Sequence, residues 1–149
     1  VAGLIRGGLA TRIYYVSTSG FDTHAGQSGK HEQLLGGIAE SLARFQTQLE
    51  QDGTAGRVTT MVFSEFGRRV HENGSGGTDH GTAAPMFLLG NSVKGGVHGT
   101  APSLADLDGG DLKYSTDFRQ VYTTMLEDWL HADPAKVLDQ RFDKLPLLA

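Results

Sequence analysis

Arg57-Val-Thr-Thr-Met-Val-Phe63 is the strongest strand signal in the chain, a run rich in β-branched and apolar residues with no glycine or proline inside it. Before it, from Lys30 to Gln51, the apolar residues Leu34, Leu35, Ile38, Leu42, Phe45 and Leu49 recur at three- and four-residue steps. That spacing predicts a long helix with one buried face, stopped at Gly53. Further back, Arg12-Ile-Tyr-Tyr-Val16 reads as a buried strand that ends in the loop Ser17-Thr-Ser-Gly20. Strand, long helix, strand is the pattern of a βαβ crossover, which sets its two strands parallel and covers them with the helix. Met86-Phe-Leu-Leu89, closed by Gly90, adds a shorter strand.

Downstream, Asp117-Phe-Arg-Gln120 reads as a capping box that opens a helix with Val121, Tyr122, Met125, Leu126, Trp129 and Leu130 on its apolar face. Asp133-Pro134 begins a further short helix. No internal repeat, low-complexity tract or composition shift marks a second domain. The expectation is an α/β fold, a mostly parallel sheet flanked by helices, formed as a single domain over residues 1–149. Val1 is not an initiator methionine and Val1 to Leu9 reads as an amphipathic segment, so the chain reads as a fragment of a larger catalytic domain or a processed product.

Bulk composition narrows the function classes. Net charge is −4, with 13 basic residues scattered along the chain, so there is no basic stripe to neutralise nucleic-acid phosphates. No apolar run approaches the ~20 residues that a membrane-spanning helix needs. Cysteine is absent, which removes disulfides, thiolate nucleophiles and zinc ribbons; any metal must bind through histidine and carboxylate. The 21 glycines are weighted to the segments between periodic stretches. Two of these, Ser64 to Pro85 and Asn91 to Thr116, are long irregular loops of the kind that carry function or disorder.

Ligands of open parallel sheets sit beyond the carboxyl ends of the strands, and two of those ends are rich in candidate ligands. After the first strand comes Phe21-Asp-Thr-His-Ala-Gly26; after the second come Phe63-Ser-Glu-Phe-Gly-Arg68 and Gly77-Thr-Asp-His-Gly81. Asp22, His24, Glu65 and His80 together offer the carboxylate and imidazole mixture of a zinc-type hydrolytic site, where two ions clamp an oxyanion from both sides. Each residue also has a plainer reading. Asp22 and His24 fit an Asx turn with a surface histidine, and Glu65 fits a surface ion pair with Arg68 or Arg69. His80 fits a turn, with Asp79 as its hydrogen-bonded orienter or as a turn former. His31 and His131 fit helix surfaces. Ser64 follows a strand without the Gly-x-Ser-x-Gly frame, although His80 and Asp79 would notionally complete a triad. Gly74-Ser-Gly-Gly-Thr78 lacks the lysine of a P-loop, and Asp106, Asp108 and Asp111 miss the calcium-loop register, leaving a turn with solvated acids.

Phe21-Asp-Thr-His24, Phe63-Ser-Glu-Phe-Gly-Arg68 and Gly77-Thr-Asp-His-Gly-Thr-Ala-Ala-Pro-Met86, in this order, resemble the DUF1501 family, and Asp117-Phe-Arg-Gln-Val-Tyr122 looks like its closing helix. The resemblance implies the C-terminal portion of an alkaline phosphatase-like fold, whose members use one or two divalent metals to cleave phosphate or sulfate esters. It implies Asp22, His24 and His80 as ligands of one metal, Glu65 as the acidic ligand of a second, and Arg68 as a residue that holds substrate oxyanion or braces Glu65. Ser64 and Asp79 join Arg68 as substrate-binding or supporting residues. Zinc is the first choice of metal, with manganese, calcium or magnesium as alternatives. The superfamily's nucleophile has no counterpart in these residues. The implied substrate is a small or polymeric ester, and the family resemblance implies export. The competing expectation is a catalytically silent module that uses its long loops for recognition.

Overall fold

The structure, a computed structural model, describes residues 1–149. The long apolar-faced helix forms as its spacing predicts, from Gln27 to Gln51 rather than from Lys30, and is designated α2 after a short N-terminal helix α1, Ala2–Arg6. Along α2 the residues least open to solvent include His31, Leu34, Ile38, Leu42, Phe45 and Leu49, one stripe at helical spacing. Leu35 falls beside the stripe and is 55% exposed. A 3₁₀ turn, Ala55–Arg57, leads into β1, Thr60–Val62, inside the expected strand. Then follow β2, Gly67–Arg68, β3, His80–Gly81, and β4, Phe87–Leu89. A tight hairpin of β5, Leu107–Asp108, and β6, Asp111–Leu112, turns at Gly109-Gly110.

The mostly parallel, helix-flanked sheet does not form, and with it goes the expected α/β architecture of an alkaline phosphatase-like fold. The strands make three two-stranded sheets, all antiparallel. β1 pairs with β4, Thr60 opposite Leu89 and Val62 opposite Phe87, and β2 pairs with β3 inside that pair, Gly67 opposite Gly81. One interrupted hairpin therefore runs from Thr60 to Leu89. Its physical basis is local: antiparallel strands need only a turn between them, and a nearby partner costs less loop entropy than a distant one. Glycines permit the close approach in the middle, since a Cβ on Gly67 would run into the Ala83 carbonyl and one on Gly81 would lie 2.7 Å from the Arg68 carbonyl carbon. Arg12–Val16, expected as a buried strand, is extended without strand pairing, with Ile13, Tyr15 and Val16 exposed.

Two small apolar clusters hold the elements together. In one, Ile5 of α1, Leu49 of α2 and Ala55 pack with Tyr14, Phe45 and Val58. In the other, Val121, Met125 and Leu147 pack with Met61, Met86, Leu88, Trp129 and the C-terminal leucines Leu145 and Leu148. The second cluster rests on α3, Phe118–Thr124, which continues as a π turn, Met125–Trp129. The Asp117 side chain accepts from the Arg119 amide at 2.9 Å and caps α3 at the predicted position, while the reciprocal Gln120 bond of the expected capping box does not form. Pro134 precedes the last helix, α4, Ala135–Leu138, and Asp133 accepts from the Ala135 amide. Only 13 of 149 residues are buried, so the two clusters are satellites of a thin core rather than one contiguous interior.

Candidate metal centre

The loop that joins the extended segment to α2 carries Asp22 and His24, and β3 carries His80. The interrupted hairpin brings them together. His80 Nε2 lies 2.8 Å and His24 Nε2 2.9 Å from the same oxygen, Asp22 Oδ1. These three ligand atoms lie within 4.8 Å of one another, on the surface. The two imidazole rings face each other obliquely with centroids 5.0 Å apart.

The second nitrogen of His24 is also committed, with Nδ1 3.0 Å from Asp79 Oδ1. Carboxylates only accept hydrogen bonds when ionised. Both contacts of His24 are hydrogen bonds only if its ring carries two protons. A cation in place of the Nε2 proton fits the same atoms with a neutral ring that donates from Nδ1 to Asp79, the carboxylate–histidine–metal arrangement in which the outer acid fixes tautomer and orientation. The donor set, one carboxylate oxygen and two imidazole nitrogens, fits zinc with room for further ligands. The hydrogen bond from His80, followed by the charges of His24, His80 and Arg68, holds the Asp22 carboxyl below its ordinary range against an opposing desolvation effect. Hydrogen bonds from His24 and then Asn73 hold Asp79 down likewise.

Around these atoms is a supporting shell. Asn73 donates from Nδ2 to the His24 carbonyl at 3.0 Å and lies 3.4 Å from Asp79, while its Oδ1 accepts the amides of Ser75 and Gly77. The Asn73–Gly77 turn is pressed against the backbone of His24 so closely that a Cβ on Gly77 would overlap the His24 carbonyl group. On the other side, Phe66 stacks on the His80 ring at 3.7 Å and 7°. Arg68 passes beside Phe66 and donates from Nη2 to Thr23 Oγ1 at 2.8 Å, with Nη1 3.9 Å from Asp22. Its Nε and Nη1 are buried without a hydrogen-bond partner. Thr23, only 2% exposed, sits between the two ligand residues and meets His31 Nε2 of α2 at 2.8 Å. Because arginine only donates, the Thr23 hydroxyl accepts from Arg68, and its own proton points to His31 Nε2 as the nearer acceptor.

Asp22, His24, His80, Asp79 and Arg68 thus share one locality. Glu65 is exposed between β1 and β2, outside the group of three ligand atoms, and neither Arg68 nor Arg69 pairs with it. Arg69 turns instead to Asp111 and the Gly109 carbonyl, tying the β5–β6 hairpin to the larger one. Ser64 donates to the Phe66 carbonyl at 2.8 Å, while His80 is taken by Asp22 and Asp79 by His24, so the notional Ser64–His80–Asp79 triad is not assembled. Asn73, Thr23 and His31 are supports that the sequence reading missed. The signal for Asn73 was the Asn-Gly-Ser-Gly-Gly turn it opens. His31 lies on the apolar stripe of α2, one turn before Leu34 and Leu35, and so faces inward rather than to solvent.

Residues 6–141 match the model of a family described as Protein of unknown function (DUF1501). The chain belongs to the DUF1501 family. No curated protein and no solved structure matches it. Within this DUF1501 chain no helix is long and apolar enough to cross a membrane.

Proposed function

We propose that this DUF1501 chain supplies the metal-binding part of a hydrolase acting on phosphate or sulfate esters, with zinc the preferred ion. The observation that carries the reading is His24, whose two ring nitrogens face Asp22 and Asp79 while His80 meets the same Asp22 oxygen. That arrangement suits a cation, which takes the place of the Nε2 proton of His24 and leaves Nδ1 to donate to Asp79. A bound divalent ion would polarise an ester oxygen and stabilise developing negative charge. In that reading Asp22, His24 and His80 hold the ion, Asp79 fixes the His24 ring, and Arg68 offers positive charge to an oxyanion beside it. Glu65, at the exposed β1–β2 connection, is the candidate ligand for a second ion. The reaction class is what the resemblance of the ordered motifs to the DUF1501 family implies. Export fits the same likeness.

Zinc titration by calorimetry tests this on the wild-type chain and on the double variant His24→Ala/His80→Ala. The expected result is one strong zinc site, weakened by about a thousandfold or more in the variant, because two of three protein ligands are lost. Equal stoichiometry and affinity in both proteins would sink the proposal. Hydrolysis of aryl phosphate and aryl sulfate esters, measured on the zinc-loaded hydrolase of which this chain is proposed to be the metal-binding part, then separates a hydrolase from a metal-holding recognition module.

A further inference from the structure

The turn pressed against His24 opens on Asn73-Gly74; of the chain's asparagines, Asn73 and Asn91, only Asn73 precedes a glycine. Asn73 Oδ1 accepts the amides of Ser75 at 2.9 Å and Gly77 at 3.2 Å. The ring closed by the Ser75 bond contains both the Asn73 side-chain carbonyl carbon and the Gly74 nitrogen, so the side chain is folded over its own backbone. N–H groups on a carbonyl oxygen draw electrons from its carbon and hold the negative charge that builds on the oxygen under attack, as in an oxyanion hole. The Gly74 N–H makes no backbone hydrogen bond. Gly74 is exposed and has no Cβ to hinder approach.

We propose that Asn73-Gly74 is a self-modifying site, at which the turn promotes deamidation of Asn73 and thereby loosens the candidate metal centre. The Gly74 nitrogen gives up its proton and bonds to Cγ of Asn73; the Cγ–Nδ2 bond breaks, and Nδ2 leaves with that proton as ammonia. The cyclic imide left behind takes up water, which opens it at either carbonyl to aspartate or isoaspartate. Nothing is oxidised or reduced. The product lacks the Nδ2 donor. Where Asn73 donated to the His24 carbonyl at 3.0 Å and lay 3.4 Å from Asp79 Oδ1, a carboxylate oxygen would face acceptors alone. Isoaspartate also adds a carbon to the main chain, at a turn where Gly77 already touches the His24 backbone. The modification is independent of the metal reading, and its consequence for zinc rests on that reading.

Ageing the full chain near neutral pH and following it by mass spectrometry tests this. Asn73 and Asn91 fall on one tryptic peptide, Val70–Lys94, so fragment ions compare both in the same sample. The mass gain of amide-to-acid conversion is expected at Asn73 about tenfold or more ahead of Asn91. Gly74→Ala fits the turn, since its Cβ would meet nothing within 4 Å, and is expected to slow the gain about tenfold. In guanidinium, where the Ser75 and Gly77 bonds are lost, Asn73 is expected to react about threefold or more slower than in the fold. The aged form, separated by its added negative charge, is expected to bind zinc about tenfold or more weakly. No gain at Asn73 beyond that at Asn91, a Gly74→Ala variant that ages like the wild type, or an equal rate in guanidinium overturns the proposal. So does an aged form that binds zinc as tightly as the fresh protein. A fresh protein that binds no zinc sinks the metal reading alone, and the mass gain still decides the modification.

Discussion

The candidate metal centre and the C-terminal cluster are held by different means. Around Asp22, His24 and His80 almost every restraint is polar or a matter of close backbone approach: Asn73 bridges loop to loop, Asp79 fixes a ring, and Gly77 lets two backbones touch. Around Val121, Met125 and Leu147 the main restraint is burial, with polar ties where Thr124 accepts the Leu145 amide at 2.9 Å and the Leu147 carbonyl accepts the Lys94 amide at 2.8 Å. Polar restraints set positions with little burial, while burial stabilises with little regard to direction. The candidate site and the apolar core divide along that line.

The cluster around Leu49 offers the hardest test of the division. Leu49 is fully buried between α1 and the Ala55 turn, at the far end of α2 from His31. Leu49→Ala is expected to cost about 2–5 kcal/mol of stability in a urea titration, from lost transfer energy plus the cavity left behind. Zinc affinity measured on the folded protein is expected to stay within about twofold of wild type, since distant sites with no shared partner act independently. If zinc affinity collapses as well, α2 transmits packing to the rim through His31 and Thr23, and the two regions are one unit.

Asp79→Asn probes the other side of the division with a smaller effect. The amide still reaches His24 Nδ1 through its oxygen but no longer offers a negative charge to the ring. Zinc affinity is expected to fall by about 10- to 100-fold, the usual cost of losing an outer carboxylate, while the urea midpoint hardly moves. An unchanged zinc affinity would reduce Asp79 to a turn former, the plainer of its two sequence readings.

These two regions were not equally legible. The α2 stripe and the Asp117 cap follow from local spacing, and local spacing is what a sequence displays. β1 and β4 also lie where β-branched and apolar runs place them, but their direction does not follow, because pairing is a choice among distant partners. Strand, helix, strand suggested a parallel sheet; the hairpin from Thr60 to Leu89 prevails because its turn is close by and its glycines admit close pairing. At the rim, Asp22, His24 and His80 stand out as metal-ligating residue types after strand-like runs, and the structure brings them together. Asp79 was read as an orienter for His80, yet it serves His24, a difference of one loop's path that no spacing encodes. Thr23 and His31 meet only because α2 folds back on the loop before it.

Acid separates the regions by the chemistry of their carboxylates' partners. At the rim Asp22 and Asp79 face the imidazoles of His24 and His80. Asp117 faces Arg119, which stays charged throughout, at 2.5 Å between Nη2 and Oδ2. That side-chain bond, opposed by desolvation and helped by the Arg119 amide and charge, lowers the Asp117 pKa from its ordinary 3.8. A carboxyl depressed in the folded state stabilises above its unfolded value and loses that contribution as pH falls through its folded value. The α3 cap is therefore expected to be intact above about pH 5 and to weaken progressively below 3.8, ahead of any change in cluster packing. Amide exchange at Arg119 and Gln120 reads the loss directly. Asp117→Asn keeps a competent cap without the charge, so its exchange in this window should be nearly flat with pH. Identical acid profiles for the two proteins would place the pH dependence elsewhere and leave Asp117 a cap by shape alone.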